Sequence, residues 1–472
     1  MVFKAQVFAL TGVQPHRQKI MIKGSTIKPD AWEGIKLKDG SMILMMGSKD
    51  EDVPEEPTEK PTFVEDMTED ELNTAMELPV GIRNLGNTCY LNAVIQCLRS
   101  VPEIQDSIKK YEIKSDGSAI GGPMITVAIQ DVFRFMDMGK TAIPIVFVDL
   151  FRTTFPRFAE VGEGGKYMQQ DASECWTELF RLFQDVLPPK NKEKVDKKFS
   201  SSLVDQYFSG EFRCEWKCDE SEEEEKQITY DRFQQLSCHI SQEVKYLHTG
   251  LVARMKEQIT KRSEKLDRDA VFTKSSKITR LPAYLSVEMI RFFYKEKEKV
   301  NAKILKDVKF PIILDVFDLC SEELQKKLIP YREKYKIMDD RLAEEEKDKK
   351  RGKFVDNKSK KLVTFPYSFP DDLGSSNSGF YELQAVLTHQ GRSSSSGHYV
   401  AWVRFKGNEW LKCDDDQITP VSEEDILKLS GGGDWHIAYI LLYGPRVLKL
   451  EESEVGEKEK EPVEEKMEVT NE

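Results

Sequence analysis

GIRNLGNTCYLNAVIQCL, residues 81–98, places a cysteine where a polar loop becomes a helix. Asn87 and Thr88 are favourable helix N-cap residues. Cys89 therefore lies in the predicted first turn, where unpaired N–H groups and the positive end of the helix dipole favour a thiolate. The alternative is a buried structural cysteine, the commoner state of a free thiol. The helix itself is predicted by apolar residues at helical spacing: Leu91, Val94, Ile95 and Leu98.

The composition predicts a soluble, acidic protein with reduced thiols. Its 472 residues are 39% hydrophobic and 32% charged, with a net charge of −12. We expect no nucleic-acid partner, because phosphate binding needs a concentrated basic face. The eight cysteines are scattered and form no disulfide framework. No apolar run approaches the roughly 20 residues that span a bilayer, so we expect a cytoplasmic protein, with the nucleus as a further location and no stable membrane insertion.

The N-terminal part of the chain predicts a small unit followed by a linker. In residues 1–48 a helix ends at Gly12, and QKIMIKG (18–24) and SMILMMG (41–47) are typical of strands. Residues 49–76 are rich in Asp, Glu and Pro, with little apolar surface to bury. We interpret them as an acidic flexible linker.

The remainder predicts one globular domain and a tail. Residues 77–446 are globular in composition, with helical patterns first and strand patterns later. Within them, residues 321–378 are rich in Lys, Glu and Ser, which indicates an insertion with a charged helix. Residues 447–472 are acidic and nearly free of aromatic residues, which predicts a disordered tail.

His398 is the histidine best placed to serve Cys89 as a base. A nucleophilic cysteine needs a base, usually a histidine, and a third group that orients the ring. In QGRSSSSGHYVAWV (390–403), His398 follows a Gly/Ser loop at the start of a predicted strand. His389 opens the same loop from the other side and is the main competitor. Taken alone, His398 is also compatible with a strand-end histidine of no catalytic role.

A run of aspartates offers the third group. EWLKCDDDQITPV (409–421) places three consecutive aspartates, beginning at Asp414, at the end of a predicted strand. If this strand is adjacent to the one that carries His398, one carboxylate reaches the far ring nitrogen. By itself such a run indicates only a turn.

Taken together, these motifs resemble the ubiquitin-specific proteases, a family of papain-like cysteine deubiquitinases. The resemblance covers roughly residues 79–446, and the ordered set is far more specific than any single motif. LTHQGRSSSSGHYV, the ubiquitin-like opening segment and the acidic linker resemble the proteasome-associated branch of the family. The four defining motifs are the stretch at 81–98, QQDASECW (169–176), GHYVAWV (397–403) and WLKCDDDQI (410–418).

The resemblance implies a role for each catalytic candidate. Cys89 matches the nucleophile, His398 the general base, and Asp414 the carboxylate that orients the histidine. Asp415 is a fallback for the orienting role. Asn84 matches the side-chain donor of the oxyanion hole, next to the backbone N–H of Cys89.

The resemblance also implies substrate-binding residues. In the family, the segment that includes Gln170 and Asp171 binds the extended basic C-terminal tail of ubiquitin, and a carboxylate is a suitable partner for an arginine. Tyr399, which follows His398, is a third candidate. Without the resemblance, Asp171 is interpreted as an ordinary helix cap.

The implied fold is an α+β hand: thumb helices, with strands that form fingers and palm. A truncated ubiquitin-like β-grasp segment precedes it, because residues 1–48 begin at the helix and lack the first two strands. We therefore expect this segment to be weakly stable. Many family members hold a structural zinc ion in the fingers, but Cys214, Cys218 and Cys238 make an incomplete ligand set. We expect no metal and no cofactor.

The implied activity is hydrolysis of the peptide or isopeptide bond after the C-terminal glycine of ubiquitin. Expected partners are ubiquitin, ubiquitinated proteins and the 26S proteasome regulatory particle. Two loops, 391–397 and 295–302, resemble the family's blocking loops, which cover the tail channel until the proteasome binds. The alternative function is a non-catalytic ubiquitin-binding regulator of the proteasome.

Overall fold

The computed structural model describes most of the chain. The described residues are 2–22, 25–26, 39–49, 78–113, 121–162, 164–295, 300–351, 362–393, 396–433 and 435–451. The chain divides into two compact units, Met1–Ala75 and Met76–Glu472. The predicted linker lies outside the described residues from residue 50 onward, as does the predicted tail from residue 452 onward.

The first unit contains one helix and a small antiparallel sheet in the order β2-β1-β3. The helix ends at Gly12, whose φ of +72° is readily adopted by glycine, and whose N–H donates to the carbonyl of Phe8 at 2.8 Å. The predicted helix and both predicted strands are therefore present. Their bounds are α1 (Val2–Thr11), β1 (Lys19–Ile22), β2 (Ser25–Thr26) and β3 (Ile43–Met46).

The second unit begins with helices. Ten of the eleven residues of its first helix are buried, which explains the apolar stripe after Cys89. The early helices are α2 (Cys89–Arg99), α3 (Pro102–Lys109), α4 (Gly122–Asp137), α5 (Ile145–Thr154), α6 (Ala172–Val186) and α7 (Leu203–Phe208). Three helices lie among the later strands: α8 (Leu247–Arg254), α9 (Glu322–Lys350) and α10 (Glu423–Leu427).

The described strands of the second unit form a large central sheet, a separate four-stranded sheet and two two-stranded sheets. The bounds of the early strands are β4 (Gly210–Cys218), β5 (Gln227–Phe233), β6 (Gln235–His239), β7 (Lys256–Ser263), β8 (Arg268–Arg280), β9 (Leu285–Ile290), β10 (Phe292–Lys295), β11 (Val300–Lys303) and β12 (Ile313–Asp315). Those of the later strands are β13 (Leu362–Phe365), β14 (Phe380–Ser393), β15 (Ser396–Arg404), β16 (Trp410–Asp414), β17 (Gln417–Val421), β18 (Ile437–Pro445) and β19 (Leu448–Glu451).

The central sheet has eight strands in the order β17-β16-β15-β14-β18-β9-β6, with β12 paired to β14. A four-stranded sheet has the order β5-β4-β8-β7, and β10-β11 and β13-β19 form two-stranded sheets. Early helices, a central sheet and a separate four-stranded sheet correspond to the predicted thumb, palm and fingers. The α+β fold class is confirmed.

The central sheet separates two apolar cores. Along β15, Tyr399 and Ala401 join the core formed with α2 and the other early helices. The alternate residues Val400 and Trp402 join the second core, to which α8 and α9 contribute. Since successive side chains of a strand point to opposite faces, this alternation fixes which residues of β15 approach α2. Helix α2 packs directly on β15.

Two features concern the predicted segment boundaries. Helix α9, of 29 residues, lies within the segment predicted as an insertion with a charged helix. The predicted tail, 447–472, begins too early, because Leu448–Glu451 form β19, paired with β13. Leu448 and Leu450 are buried against α9, a contact that the acidic local composition does not reveal. Among the described helices, none is long and apolar enough to cross a membrane.

Candidate active site

Cys89 is the first residue of α2 and is almost fully buried, with 3% of its surface exposed. Thr88 occupies the N-cap position, but its side chain makes no capping hydrogen bond. Its hydroxyl instead accepts from the N–H of Leu85 at 2.9 Å and donates to Oδ1 of Asn84 at 3.2 Å. The threonine therefore stabilises the loop, while the first N–H groups of the helix lack intrahelical partners.

His398 and Asp414 form a close pair next to this cysteine. Nε2 of His398 lies 2.6 Å from Oδ1 of Asp414, and the imidazole also hydrogen-bonds the side chain of Cys89. The bond with Asp414, followed by that with Cys89, raises the pKa of His398 to about 10. Reciprocally, the hydrogen bond with His398 holds the pKa of Asp414 well below its usual range. The pair is therefore an ion pair at neutral pH.

Strand register explains why these two residues meet. Strands β15 and β16 are antiparallel, with Ala401 opposite Cys413. In this register Asp414 lies diagonally across from His398 on the same face of the sheet, within reach of a long side chain. The helix start brings Cys89 to the end of β15, because α2 packs on that strand.

The competing histidine, His389, occupies a different environment. Its side chain is fully buried, with its ring 4.6 Å from that of Tyr399 and 5.4 Å from that of Phe292. Burial lowers the pKa of His389 to about 3, so its ring is neutral at physiological pH. The structure thus brings His398, and not His389, to Cys89 and Asp414.

Asp415 has a different set of partners from Asp414. Its Oδ2 accepts from Nδ2 of Asn84 at 2.9 Å, and its Oδ1 accepts from Nδ2 of Asn92 at 2.8 Å. Its backbone carbonyl accepts from the N–H of Ile82 at 2.9 Å. A side chain at Gly81 would approach that carbonyl to 2.3 Å, which explains the glycine. Asp415 therefore connects the end of β16 to the loop that precedes Cys89.

Asn84 is fixed on both sides of its amide. Oδ1 accepts from the N–H of Gly86 at 2.8 Å, while Nδ2 uses one of its two hydrogens on Asp415. Asn92, whose side chain donates to the same carboxylate of Asp415, was not predicted from the sequence. Its signal was a polar residue three positions after Cys89, on the buried side of an amphipathic helix.

The predicted tail-binding residues lie around the start of α6. Asp171 caps this helix by accepting from the N–H of Ser173 at 2.7 Å, as the simpler interpretation predicts. The hydroxyl of Tyr439 donates to both oxygens of Asp171 at 2.9 Å. Burial nevertheless raises the pKa of Asp171. Gln170 is half-buried and Tyr399 is buried.

The neighbouring Gln169 was not predicted from the sequence. It is 8% exposed, and its Nε2 has no hydrogen-bond partner among the described residues. It lines an open cleft of about 400 Å³ together with Asn87, Tyr167 and Gly397. Two of the lining residues, Asn87 and Gly397, lie close in sequence to Cys89 and His398.

The three cysteines that were considered as zinc ligands lie in two different sheets. Cys214 and Cys218 belong to β4, whereas Cys238 belongs to β6 of the central sheet. The thiol of Cys214 lies 3.3 Å from Oδ2 of Asp231 and 3.4 Å from Oγ of Ser276. Within the described stretches, one group has the spacing of a metal-ligand set, comprising His398, Asp414 and Asp415. Its donor atoms are engaged in the hydrogen bonds described above.

Comparison with known proteins identifies the class. The family model "Ubiquitin carboxyl-terminal hydrolase" matches residues 80–443. The chain is 40% identical to ubiquitin carboxyl-terminal hydrolase 6 of Arabidopsis thaliana, with 95% of each chain covered. It is 40% identical to ubiquitin carboxyl-terminal hydrolase 14 of Caenorhabditis elegans, with 95% of this chain and 90% of that protein covered.

The chain therefore belongs to the ubiquitin carboxyl-terminal hydrolase family. It is a thiol-dependent ubiquitin hydrolase, which confirms the enzyme class predicted from its motifs. Its fold is similar to a chain in the structure of the SAGA Ubp8/Sgf11/Sus1/Sgf73 DUB module bound to ubiquitin aldehyde. That match has a TM-score of 0.53 at 20% identity and covers 78% of this chain and 69% of the other.

Proposed function

We propose that Cys89, His398 and Asp414 hydrolyse the bond that follows the C-terminal glycine of ubiquitin. The observation that carries this proposal is the imidazole of His398, which hydrogen-bonds Cys89 and also lies 2.6 Å from Asp414. The imidazolium of His398 carries the proton that Cys89 has given up, and the thiolate attacks the glycine carbonyl. The leaving amine takes the proton back from the imidazolium. Water, activated by His398, then hydrolyses the thioester.

Asn84 and the backbone N–H of Cys89 stabilise the oxyanion in this proposal. The fixed amide of Asn84 retains one hydrogen on Nδ2, and the N–H of Cys89 belongs to the open first turn of α2. Asp415 contributes indirectly, because it holds the amide of Asn84 in one orientation. Removal of one oxyanion donor typically raises the barrier by about 3 kcal/mol.

The cleft near α6 is proposed to hold the extended tail of ubiquitin. Burial raises the pKa of Asp171, so an arginine of the tail would stabilise its ionised form. Gln170 and Tyr399 are the other proposed contacts. Gln169 supplies a further donor for a carbonyl of the extended peptide.

The expected covalent step can be tested with ubiquitin whose C-terminus carries an electrophile. We expect the full chain to form a single covalent adduct and the Cys89→Ala variant to form none. Cys97→Ala is the matched control, because Cys97 is also buried in α2 and should leave labelling intact. Adduct formation by Cys89→Ala would contradict the proposal. Tight ubiquitin binding without any adduct of the wild type would instead support the non-catalytic regulator.

The finer proposal is that this enzyme trims ubiquitin from substrates on the proteasome, in the cytoplasm and nucleus, and is activated there. The positions of two hairpins support the proposal that access to the active site is regulated. The β10-β11 hairpin is tied to β14, because Nζ of Lys303 donates to the carbonyl of His389 at 2.5 Å. The loop between β14 and β15 leads directly to His398. The tips of both predicted blocking loops, 296–299 and 394–395, lie outside the described residues.

The first unit is the proposed docking element. Alternate residues of the strand region at β3, namely Met42, Leu44 and Met46, are 90%, 57% and 54% exposed. We expect purified 26S proteasome to raise the cleavage rate of a ubiquitin reporter by about tenfold or more, the scale of a typical coupling free energy. Leu44→Asp should abolish this stimulation and leave basal cleavage unchanged.

The control is Leu427→Asp, at another exposed leucine, in α10. It should be stimulated like the wild type. Equal rates of the wild type with and without proteasome would exclude activation by the proteasome.

A further inference from the structure

The carboxylate of Asp414 has a second partner besides His398. Nζ of Lys412 lies 2.8 Å from Oδ2, while Nε2 of His398 lies 2.6 Å from Oδ1. Lys412 and Asp414 are two residues apart on β16, so their side chains point to the same face of the sheet. Each oxygen of the carboxylate is thus held by its own cationic or hydrogen-bonding partner.

The surroundings of Lys412 distinguish it from an ordinary surface lysine. Lys412 is paired with Trp402 across the β15-β16 ladder, and its Nζ lies 5.9 Å from the indole ring. The side chains of Lys412 and Asp414 are each 29% exposed. By comparison, Lys428 in the surface pair with Asp425 is 70% exposed. Packing on one side and partial burial restrict Lys412 to the position from which it meets Asp414.

We propose that Lys412 is a positioning residue for the hydrolysis. Its ammonium group holds the carboxylate of Asp414 in the orientation that accepts from His398, and it offsets part of the carboxylate's negative charge. The inference rests on the proposed roles of Cys89, His398 and Asp414. Lys412 contacts neither the substrate nor the reacting atoms in this scheme, and it acts only through Asp414.

The charges around His398 determine whether the loss of Lys412 raises or lowers the pKa of His398. Burial, followed by the nearby charge of Lys412, lowers the pKa of His436 to about 4, so this ring is neutral at physiological pH. Removal of Lys412 therefore leaves the imidazolium of His398 as the nearest positive charge to Asp414. The titratable and charged groups around His398 are Cys89 from α2, Asp414 and Lys412 from β16, Asp415 from the following turn, His436 before β18, His389 from β14 and Lys303 from β11.

Two consequences follow for a variant that lacks the ammonium group. Without the ammonium group of Lys412, the carboxylate of Asp414 stabilises the imidazolium of His398 more strongly, so the pKa of His398 rises. The imidazolium then becomes a weaker acid towards the leaving amine. At the same time the carboxylate keeps its bond to His398 but loses the partner that fixes its second oxygen, so the imidazole is less precisely oriented towards Cys89. Both effects lower the rate of the chemical step and leave substrate binding unchanged.

The test compares Lys412→Met, Lys412→Arg and Lys428→Met in the full chain, with ubiquitin linked to a fluorogenic amine as the probe. We expect Lys412→Met to lower kcat about tenfold, less than the roughly hundredfold or larger effect of losing a general acid or base itself, with KM unchanged within about twofold. The alkaline limb of its kcat/KM profile should move up by about half a pH unit. Lys412→Arg should recover most of kcat and the normal profile, and Lys428→Met should match the wild type.

A second measurement does not depend on activity. NMR titration of selectively labelled histidine rings should show a higher pKa for His398 in Lys412→Met than in the wild type. An unshifted His398 titration, a loss confined to KM, or a failure of Lys412→Arg to recover kcat would each overturn the role of Lys412. If the wild type forms no adduct with electrophilic ubiquitin, the proposed function fails, while the titration still decides whether Lys412 controls the charge of His398.

Discussion

Replacement of Asp414 by asparagine is expected to lower kcat/KM for a ubiquitin substrate by about a thousandfold, with the fold intact. An asparagine at this position can still contact Nε2 of His398, but it cannot stabilise an imidazolium. It also permits the wrong ring tautomer, which places the proton towards Cys89. In other enzymes with a comparable triad, such a change costs about three to four orders of magnitude in rate.

The pH dependence of the same variant gives an independent check. The hydrogen bond with Asp414 is the largest cause of the raised pKa of His398, which is about 10. The ion pair with His398 is therefore present at neutral pH and is lost as the pH rises through about 10. In Asp414→Asn, the alkaline limb of the kcat/KM profile should fall towards the ordinary histidine pKa of about 6.5.

Asp416→Asn is the matched control for this prediction. Asp416 belongs to the same run of aspartates, but its side chain is exposed. The activity and the pH profile of Asp416→Asn should equal those of the wild type. Asp414→Asn with a kcat/KM within tenfold of the wild type and an unchanged alkaline limb would show that another group orients His398.

Replacement of Arg291 by methionine is expected to cause the largest loss of stability, about 3–5 kcal/mol, as for the removal of one partner of a buried charged group. The Arg291 side chain is fully buried between β9 and β10. Its guanidinium donates at 2.8–3.1 Å to four backbone carbonyls: Ala438, Ile304, Lys306 and Ser430. Methionine fills similar volume but leaves these carbonyls without their donor.

Chemical denaturation of the second unit, followed by tryptophan fluorescence, measures this loss. Arg291→Lys should recover only part of the stability, because one ammonium group cannot reach four carbonyls as the planar guanidinium does. Arg262→Met is the control, since Arg262 pairs with Asp267 at an exposed site. A loss no larger in Arg291→Met than in Arg262→Met would contradict the structural role assigned to Arg291.

The sequence predicted local features well where one segment supplied the whole signal. The loop-to-helix transition at Cys89 was visible in residues 81–98, because capping types and the apolar stripe lie next to each other in the chain. Asp171 as the cap of α6 was visible for the same reason. The fold class and the enzyme class followed from the ordered set of motifs. The helices and sheets of the structure confirm the fold class, and the family match confirms the enzyme class.

Choices between similar residues required the tertiary structure. His389 and His398 both flank one loop, and only the packing of β14 and β15 buries the first and directs the second to Cys89. Asp414 and Asp415 are adjacent in sequence. Strand register places Asp414 against His398, whereas the turn after β16 places Asp415 against Asn84. Local sequence contains no information that separates these outcomes.

The sequence by itself therefore determined the helix that begins at Cys89, the order of the motifs and the chemistry that they offer. The tertiary structure alone decided which histidine and which aspartate meet Cys89. It also showed that Lys412 holds the second oxygen of Asp414. The physical reason is distance along the chain. Cys89 lies in α2 and its partners lie in β15 and β16, so their contacts depend on sheet register and helix packing, which no local pattern encodes.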